Sequence, residues 1–191
     1  MKGINIFLAD GFEDIEALAT NDVLSRGGLD ARLISINDGT AVTSSHGVSI
    51  IAGGTLKDAD LSAAPQGEKD IMIFPGGMPG TANLASCEPL IDAMQAHYAA
   101  GGSVAAICAA PGLVLSRLGN LEGVTFTCYE GFQDALTAKG AVFSPQAAVR
   151  SGRIITGRSA AHAVSFGLEI LSLLRPEKVE EVRHSMYLWT A

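Results

Sequence analysis

The feature that most constrains the fold of this chain is a regular alternation of short apolar runs with segments of helical spacing. Residues 3–9, 70–74 and 103–107 are apolar at nearly every position, and such runs are typical of strands buried on both faces of a parallel sheet. Between and after them, residues 13–26 have helical spacing and residues 160–174 form a long apolar helical segment. We therefore predict an α/β fold in which helices cover both faces of a mostly parallel sheet.

Weaker patterns complete the expected order of elements. Further strands are predicted at 31–36 and 124–127, and further helices at 89–100, 110–118, 132–139 and from Pro176 onward. A hairpin or an excursion at the sheet edge is expected within 42–51 around Ser44-Ser45-His46-Gly47, and a hairpin is expected from 147–150 and 154–156 around Ser151-Gly152. Because the 191 residues show no linker, repeat or low-complexity segment, we expect one domain over residues 1–191.

The composition argues against several classes of function. The net charge is −7 and no basic run occurs, so we expect no binding to nucleic acid or to anionic membranes. No apolar stretch approaches the roughly 20 residues of a membrane span, and the first residues lead into a strand pattern without a signal peptide, so we expect a cytoplasmic protein. The cysteines, Cys87, Cys108 and Cys128, are widely spaced, which argues against a disulfide framework and a metal site.

Cys108 comes directly after the apolar run 103–107, and the small residues Ala109-Ala110-Pro111-Gly112 follow it. Small residues after a strand are typical of a tight turn from strand to helix, because side chains crowd there. A helix N-terminus lowers the pKa of a thiol, and the unpaired N–H groups of the new helix can stabilise an oxyanion. Cys108 is therefore the candidate nucleophile; a buried structural cysteine is the alternative.

Two other segments follow predicted strands and should meet Cys108 at the carboxyl edge of the sheet. Pro75-Gly76-Gly77 can present the backbone N–H groups of Gly76 and Gly77 to a ligand, or form a plain turn. The acidic stretch 10–16 begins a helix, where the helix dipole alone favours Glu13 and Glu16. A Glu16 carboxyl facing the cleft would be desolvated, would stay protonated and could donate to a thiolate.

These segments together resemble the DJ-1/ThiJ/PfpI superfamily, most closely its ThiJ and protein deglycase-like branch. The motifs are Gly11-Phe12-Glu13-Asp14-Ile15-Glu16, Pro75-Gly76-Gly77 and Ala105-Ala106-Ile107-Cys108-Ala109-Ala110-Pro111, and the resemblance covers essentially the whole chain. It implies a flavodoxin-like three-layer α/β/α sandwich and a site without a cofactor. It also implies a homodimer that uses Asp22 and Arg26 of the first helix.

The resemblance further implies roles for individual residues. Cys108 would be the nucleophile, Glu16 the protonated partner that touches its sulfur, and the N–H groups of Gly77 and Ala109 the oxyanion pocket. Ala109 stands where the proteolytic branch has a histidine, which weakens a peptidase interpretation. Cys128 stands where closer relatives place a histidine; we expect it to line the pocket, and resolution of an oxidised Cys108 is the alternative.

One histidine is a candidate base. Family members often have Gly-Pro-Gly after the arginine at Arg158, whereas this chain continues Ser159-Ala160-Ala161-His162. The floor of the pocket therefore departs from the family pattern, and His162, which begins a predicted helix, is the one histidine to test as a base.

Two functions of different classes remain open. The first is chemistry on small 2-oxoaldehydes, such as methylglyoxal to lactate, or the related repair of glycated proteins; Cys108 would add to the carbonyl and Glu16 would move a proton. The second is an oxidative-stress sensor or redox-regulated chaperone in which Cys108 becomes a sulfinic acid. Peptidase or amidase activity ranks third.

Overall fold

The computed structural model describes residues 1–188. The strands are β1 (Ile4–Leu8), β2 (Ala31–Ser35), β3 (Ala41–Thr43), β4 (Ser49–Ile51), β5 (Gly54–Thr55), β6 (Ile71–Phe74), β7 (Ser103–Ile107), β8 (Thr125–Phe126), β9 (Val142–Phe143), β10 (Ala148–Ser151) and β11 (Ile154–Gly157). The α-helices are α1 (Asp14–Arg26), α2 (Gly80–Ser86), α3 (Glu88–Ala99), α4 (Ala110–Leu113), α5 (Asp134–Thr137), α6 (Ala163–Leu174) and α7 (Val179–Ser185). Short 3₁₀ helices occupy Leu115–Arg117, Ala160–His162 and Pro176–Lys178.

Within residues 1–188, seven strands form a central sheet in the order β10-β11-β7-β6-β1-β2-β5. Every neighbouring pair is parallel except β10 with β11, which form an antiparallel hairpin at one edge. Two small two-stranded sheets lie outside it, an antiparallel β3–β4 hairpin and a parallel β8–β9 pair. The predicted α/β class and the mostly parallel sheet are confirmed, and a hairpin forms at both expected places.

Alternate side chains of the central strands enter two separate cores, one on each face of the sheet. Phe7 and Phe74 lie in the core that includes α3, with ring centroids 5.4 Å apart. Ile6 lies in the opposite core, which includes α1 and α6. There α1 and α6 pack closely, since a Cβ added at Gly167 would lie 3.0 Å from the Cβ of Val23. The three-layer sandwich is therefore confirmed.

Several helices are shorter than the sequence pattern indicates. The helix predicted at 110–118 divides into α4 and the 3₁₀ turn Leu115–Arg117, and Gly112 within α4 packs directly against the backbone of Phe132. The helix predicted at 160–174 begins with a 3₁₀ turn, and the one predicted at 132–139 reduces to α5.

Other elements were not foreseen at all. Helix α2 follows Pro79 at once, although the Pro- and Gly-rich composition there predicts a turn and no helix. The strands β5 and β9 have two residues each, too few to show any alternation in the sequence.

The order of the sheet places three loops side by side. Strands β7, β6 and β1 are consecutive neighbours and run parallel, so the segments that follow them emerge at one edge. These segments contain Cys108, Gly76 and Glu16 respectively. No helix in the described part of the chain is long and apolar enough to cross a membrane.

Candidate active site

Cys108 lies on a sharp turn between β7 and α4. Its φ is 67°, a left-handed conformation that costs a non-glycine residue about 1–3 kcal/mol. Hydrogen bonds to both neighbouring segments hold the turn: the N–H of Cys108 donates to the carbonyl of Gly157 at 3.0 Å, and the N–H of Tyr129 donates to the carbonyl of Cys108 at 2.8 Å. The side chain is half-buried.

Glu16, in the first turn of α1, is buried with 1 % of its surface exposed. Three hydrogen bonds form a ring that positions it. The N–H of Gly76 donates to Oε2 of Glu16 at 2.7 Å, and the N–H of Glu13 donates to the carbonyl of Gly76 at 3.0 Å. The carboxylate of Glu13 caps the helix by accepting from the N–H of Glu16 at 2.7 Å. Glu13 thus supports Glu16 through both its backbone N–H and its carboxylate, and its expected place in the pocket stays a prediction.

The pKa of Glu16 is raised to about 7, mainly by burial and in small part by the charge of Glu13, while the hydrogen bonds from Cys108 and Gly76 act in the opposite direction. The Cys108 thiol is thus close enough to affect the carboxyl, although Oε1 of Glu16 has no partner of regular hydrogen-bond geometry among residues 1–188. The carboxyl therefore has one oxygen held by the backbone and one oxygen left for the sulfur or a ligand.

The expected lowering of the pKa of Cys108 is not found. Burial raises the pKa of this thiol to about 12, and the charge and hydrogen bond of Glu16 add to the effect. The N–H groups of Ala109 and Gly77 reach the sulfur and act in the opposite direction. The prediction was wrong because α4 has only four residues, which supply a small dipole, and because desolvation and a neighbouring carboxylate outweigh it.

Glycines are required at Gly76 and Gly77 by the close approach of three segments. A Cβ at Gly76 would lie 2.5 Å from Oε2 of Glu16 and 2.6 Å from the Cβ of Cys108. Gly77 has φ 91°, and a Cβ there would clash with the backbone of residues 11–13. These positions let the backbone N–H groups touch the acid and the thiol directly.

Cys128 and His162 lie at the margins of this arrangement. Cys128 is fully buried in one of the two cores, and burial raises its pKa to about 11, with Arg158 opposing and Asp134 adding to the shift. The ring Nδ1 of His162 pairs with Oγ of Ser159 at 2.9 Å, in the 3₁₀ turn before α6. Roles for these two side chains in the pocket remain predictions.

A cluster that the sequence spacing did not indicate lies next to the acid. Potential metal-ligand atoms of Glu13, Asp14 and His46 are all within 4.8 Å of one another. Nδ1 of His46 contacts Oδ2 of Asp14 at 2.5 Å, and Glu13 already caps Glu16, so these groups use one another as partners. His46 was missed because 32 residues separate it from Asp14.

The expected dimer residues lie on the opposite half of the same helix. Nε of Arg26 donates to Oδ2 of Asp22 at 2.8 Å, and both side chains are exposed. They stand one helical turn apart on α1.

Residues 2–173 match the model of the DJ-1/PfpI family. The chain belongs to this family. Protein DJ-1 homolog B of Arabidopsis thaliana is 34 % identical over 95 % of this chain, which spans only 40 % of that longer protein. A Caenorhabditis elegans relative, the glutathione-independent glyoxalase DJR-1.2, is 32 % identical over 89 % of this chain and 87 % of its own length. The solved structure of oxidized Toxoplasma gondii DJ-1 superposes with a TM-score of 0.87 at 27 % identity, covering 100 % of this chain and 99 % of that one.

Proposed function

We propose that this DJ-1/PfpI-family chain is a cofactor-independent enzyme that converts small 2-oxoaldehydes, such as methylglyoxal, into 2-hydroxy acids through Cys108. The observation that carries the proposal is the pairing of the Cys108 thiol with the buried carboxyl of Glu16, with the N–H groups of Gly77 and Ala109 at the same sulfur. The C. elegans relative named a glyoxalase supports this reaction class.

In the first step the thiol adds to the aldehyde. With a pKa of about 7, Glu16 is about half carboxylate at neutral pH and increasingly so above it, and the carboxylate can accept the thiol proton as the sulfur attacks. The S–C bond forms and the carbonyl electron pair moves to oxygen, which the N–H groups of Gly77 and Ala109 stabilise. Glu16 then returns the proton to this oxygen and leaves a hemithioacetal.

In the second step Glu16 moves a proton between two carbons. Its carboxylate removes the hydrogen from the carbon bonded to sulfur, and the electron pair forms an enediol-like state with the adjacent ketone. The hydroxyl proton on the carbon bonded to sulfur passes to the oxygen of the former ketone, and delivery of the abstracted proton to the second carbon gives the thioester of a 2-hydroxy acid. Water hydrolyses the thioester and restores the thiol, so substrate plus water becomes the acid with no external oxidant. The same first step would serve repair of glycated proteins.

The decisive test is lactate formation from methylglyoxal by the purified protein. Wild type should form lactate, and Cys108→Ala should form none while retaining its circular dichroism spectrum, because the thioester requires the thiol. Cys87→Ala is the matched control, since Cys87 is another half-buried thiol and lies between α2 and α3. Lactate formation by Cys108→Ala at the wild-type rate would overturn the proposal.

An oxidant-sensing role is the second candidate, supported by the relative whose structure is described as oxidized. A half-buried thiol with a protonatable carboxyl beside it suits a stabilised sulfinic acid. Mild peroxide should then add two oxygen atoms to Cys108 before it modifies Cys87, as measured by peptide mass. Earlier oxidation of Cys87, or peroxide-treated protein with unchanged Cys108, would count against the sensor.

A further inference from the structure

The turn of the β3–β4 hairpin closes over the start of α1. The N–H of Gly11 donates to the carbonyl of Thr43 at 2.8 Å, and the N–H of Ser45 donates to the carbonyl of Phe12 at 2.8 Å. The N–H of Thr43 donates to Oδ1 of Asp10 at 2.8 Å. The hairpin is therefore joined by backbone hydrogen bonds to the segment that leads into the Glu16 turn.

His46 provides the side-chain contact of this closure. Nδ1 of His46 lies 2.5 Å from Oδ2 of Asp14, the first residue of α1; the His46 side chain is 67 % exposed, whereas that of Asp14 is 19 % exposed. The hydrogen bond to Asp14 and its charge raise the pKa of His46, which favours the doubly protonated ring that can donate from Nδ1.

Asp14 lies between the two glutamates that build the site. Glu13 precedes it and caps the helix, while Glu16 follows it and carries the buried carboxyl. Glu13 is also tied to the carbonyl of Gly76, whose N–H holds Oε2 of Glu16. A movement of Asp14 would therefore disturb the Glu13 cap on the N–H of Glu16 and, through Gly76, the hydrogen bond that holds Oε2 of Glu16.

We propose that His46 is a positioning residue: by binding Asp14, it holds the first turn of α1 in the geometry that keeps the Glu16 carboxyl buried beside Cys108. The inference rests on the proposed role of Glu16 as the proton partner of Cys108. If the His46–Asp14 contact were an ordinary exposed ion pair, it would add little to the free energy of unfolding and would leave the buried Glu16 carboxyl unaffected.

The charged surroundings of His46 allow a positioning effect to be distinguished from a charge effect. Asp14 and Glu13 face the ring from α1, Asp10 lies at the other end of the same closure, and residues 44–48 contain no charged side chain besides His46. If His46 acts only through its positive charge, its removal leaves the carboxylates to repel one another more strongly, and the pKa of Glu16 rises. If His46 acts by positioning, its removal lets water reach the Glu16 carboxyl, and the pKa falls because burial is the main cause of its elevation.

The test is the pH dependence of Cys108 alkylation by iodoacetamide, followed by peptide mass. The wild-type rate should rise through the pKa of Glu16. In His46→Ala this rise should move to lower pH by roughly one unit. His46→Asn should restore the wild-type profile, because the amide nitrogen of asparagine occupies the place of Nδ1 and donates the same hydrogen bond.

Two further variants complete the design. In the Asp14→Ala background, His46→Ala should cause no additional shift, because the partner of His46 has already been removed. Lys57→Ala is the control, since it deletes an exposed ion pair with Asp38 elsewhere. An unchanged profile in His46→Ala, or an upward shift that His46→Asn does not rescue, would overturn the inference. Alkylation needs no turnover, so this result is independent of whether Cys108→Ala loses lactate formation.

Discussion

At the scale of single residues, Glu16 is a group whose protonation the fold changes strongly. Its pKa rises from an ordinary 4.5 to about 7, mainly through burial, and the pKa of the adjacent Cys108 thiol is raised as well. Two acids that both resist ionisation can hold only one negative charge between them near neutral pH. Acid and nucleophile therefore act as one pair, and a change in either should be visible at the other.

Glu16→Gln should change the pH dependence of stability. The folded protein binds the Glu16 proton more tightly than the unfolded chain, so this contribution is fully present below about pH 4.5 and is lost as the pH rises through about 7. Glutamine cannot ionise and does not lose this contribution. When the pH is raised from about 5 to about 8, the free energy of unfolding of the variant should therefore increase relative to that of wild type by up to about 3 kcal/mol. Urea unfolding of both proteins at both pH values measures this difference in the free energy of unfolding.

The control for this experiment is Glu180→Gln, at a carboxyl that is exposed on α7. It should leave the difference between the two pH values unchanged. Parallel stability curves for wild type and Glu16→Gln would show that Glu16 has an ordinary pKa in the folded protein.

At the scale of elements, three parallel strands end side by side and their loops share a few backbone groups. The loop after β6 passes between Cys108 and Glu16, and this passage is possible only without a side chain at Gly76. The backbone N–H of that residue is consequently the donor that holds the carboxyl.

Gly76→Ala should therefore damage both the fold and the site. The added methyl group would lie 2.5 Å from Oε2 of Glu16 and 2.6 Å from the Cβ of Cys108, an overpacking that costs about 1–3 kcal/mol. The midpoint of urea unfolding should fall and alkylation of Cys108 should slow. Gly39→Ala is the matched control, because a Cβ at Gly39 meets nothing within 4 Å; equal behaviour of the two variants would refute the packing argument.

At the scale of the whole molecule, one face of α1 lies against α6 and another faces outward. The outward face carries Ile15 and Leu18, which are 54 % and 37 % exposed, and continues to Asp22 and Arg26. These positions are three or four residues apart and so share one side of the helix. An exposed apolar stripe ending in charged residues suits an interface between two copies of the chain.

Leu18→Asp should convert a dimer to a single chain, because it places a charge in the apolar part of this face. Sedimentation velocity at micromolar concentration should give twice the mass of one chain for wild type and the mass of one chain for the variant. Val142→Asp, at another exposed apolar residue, should remain dimeric. A wild-type protein that sediments as one chain would contradict the predicted homodimer.

The sequence by itself determined the order of the main elements, the strand-to-helix turn at Cys108 and the placing of Glu13, Glu16 and Gly76 at the same edge of the sheet. These follow from local patterns, namely wholly apolar strands, helix starts and small residues at a crowded turn. The sequence did not predict the boundaries where glycine or proline lies within or next to an element, as at Gly112 in α4 and Pro79 before α2.

Only the tertiary structure decided the electrostatics and the supports of the site. The pKa of Cys108 depends on desolvation and on a carboxylate 92 positions away in the chain, whereas the sequence offered only the local effect of a helix start. The ring of hydrogen bonds through Gly76 and the contact of His46 with Asp14 join segments separated by 30 or more residues. Such contacts leave no periodic trace in the sequence, because they depend on which loops the sheet order brings together.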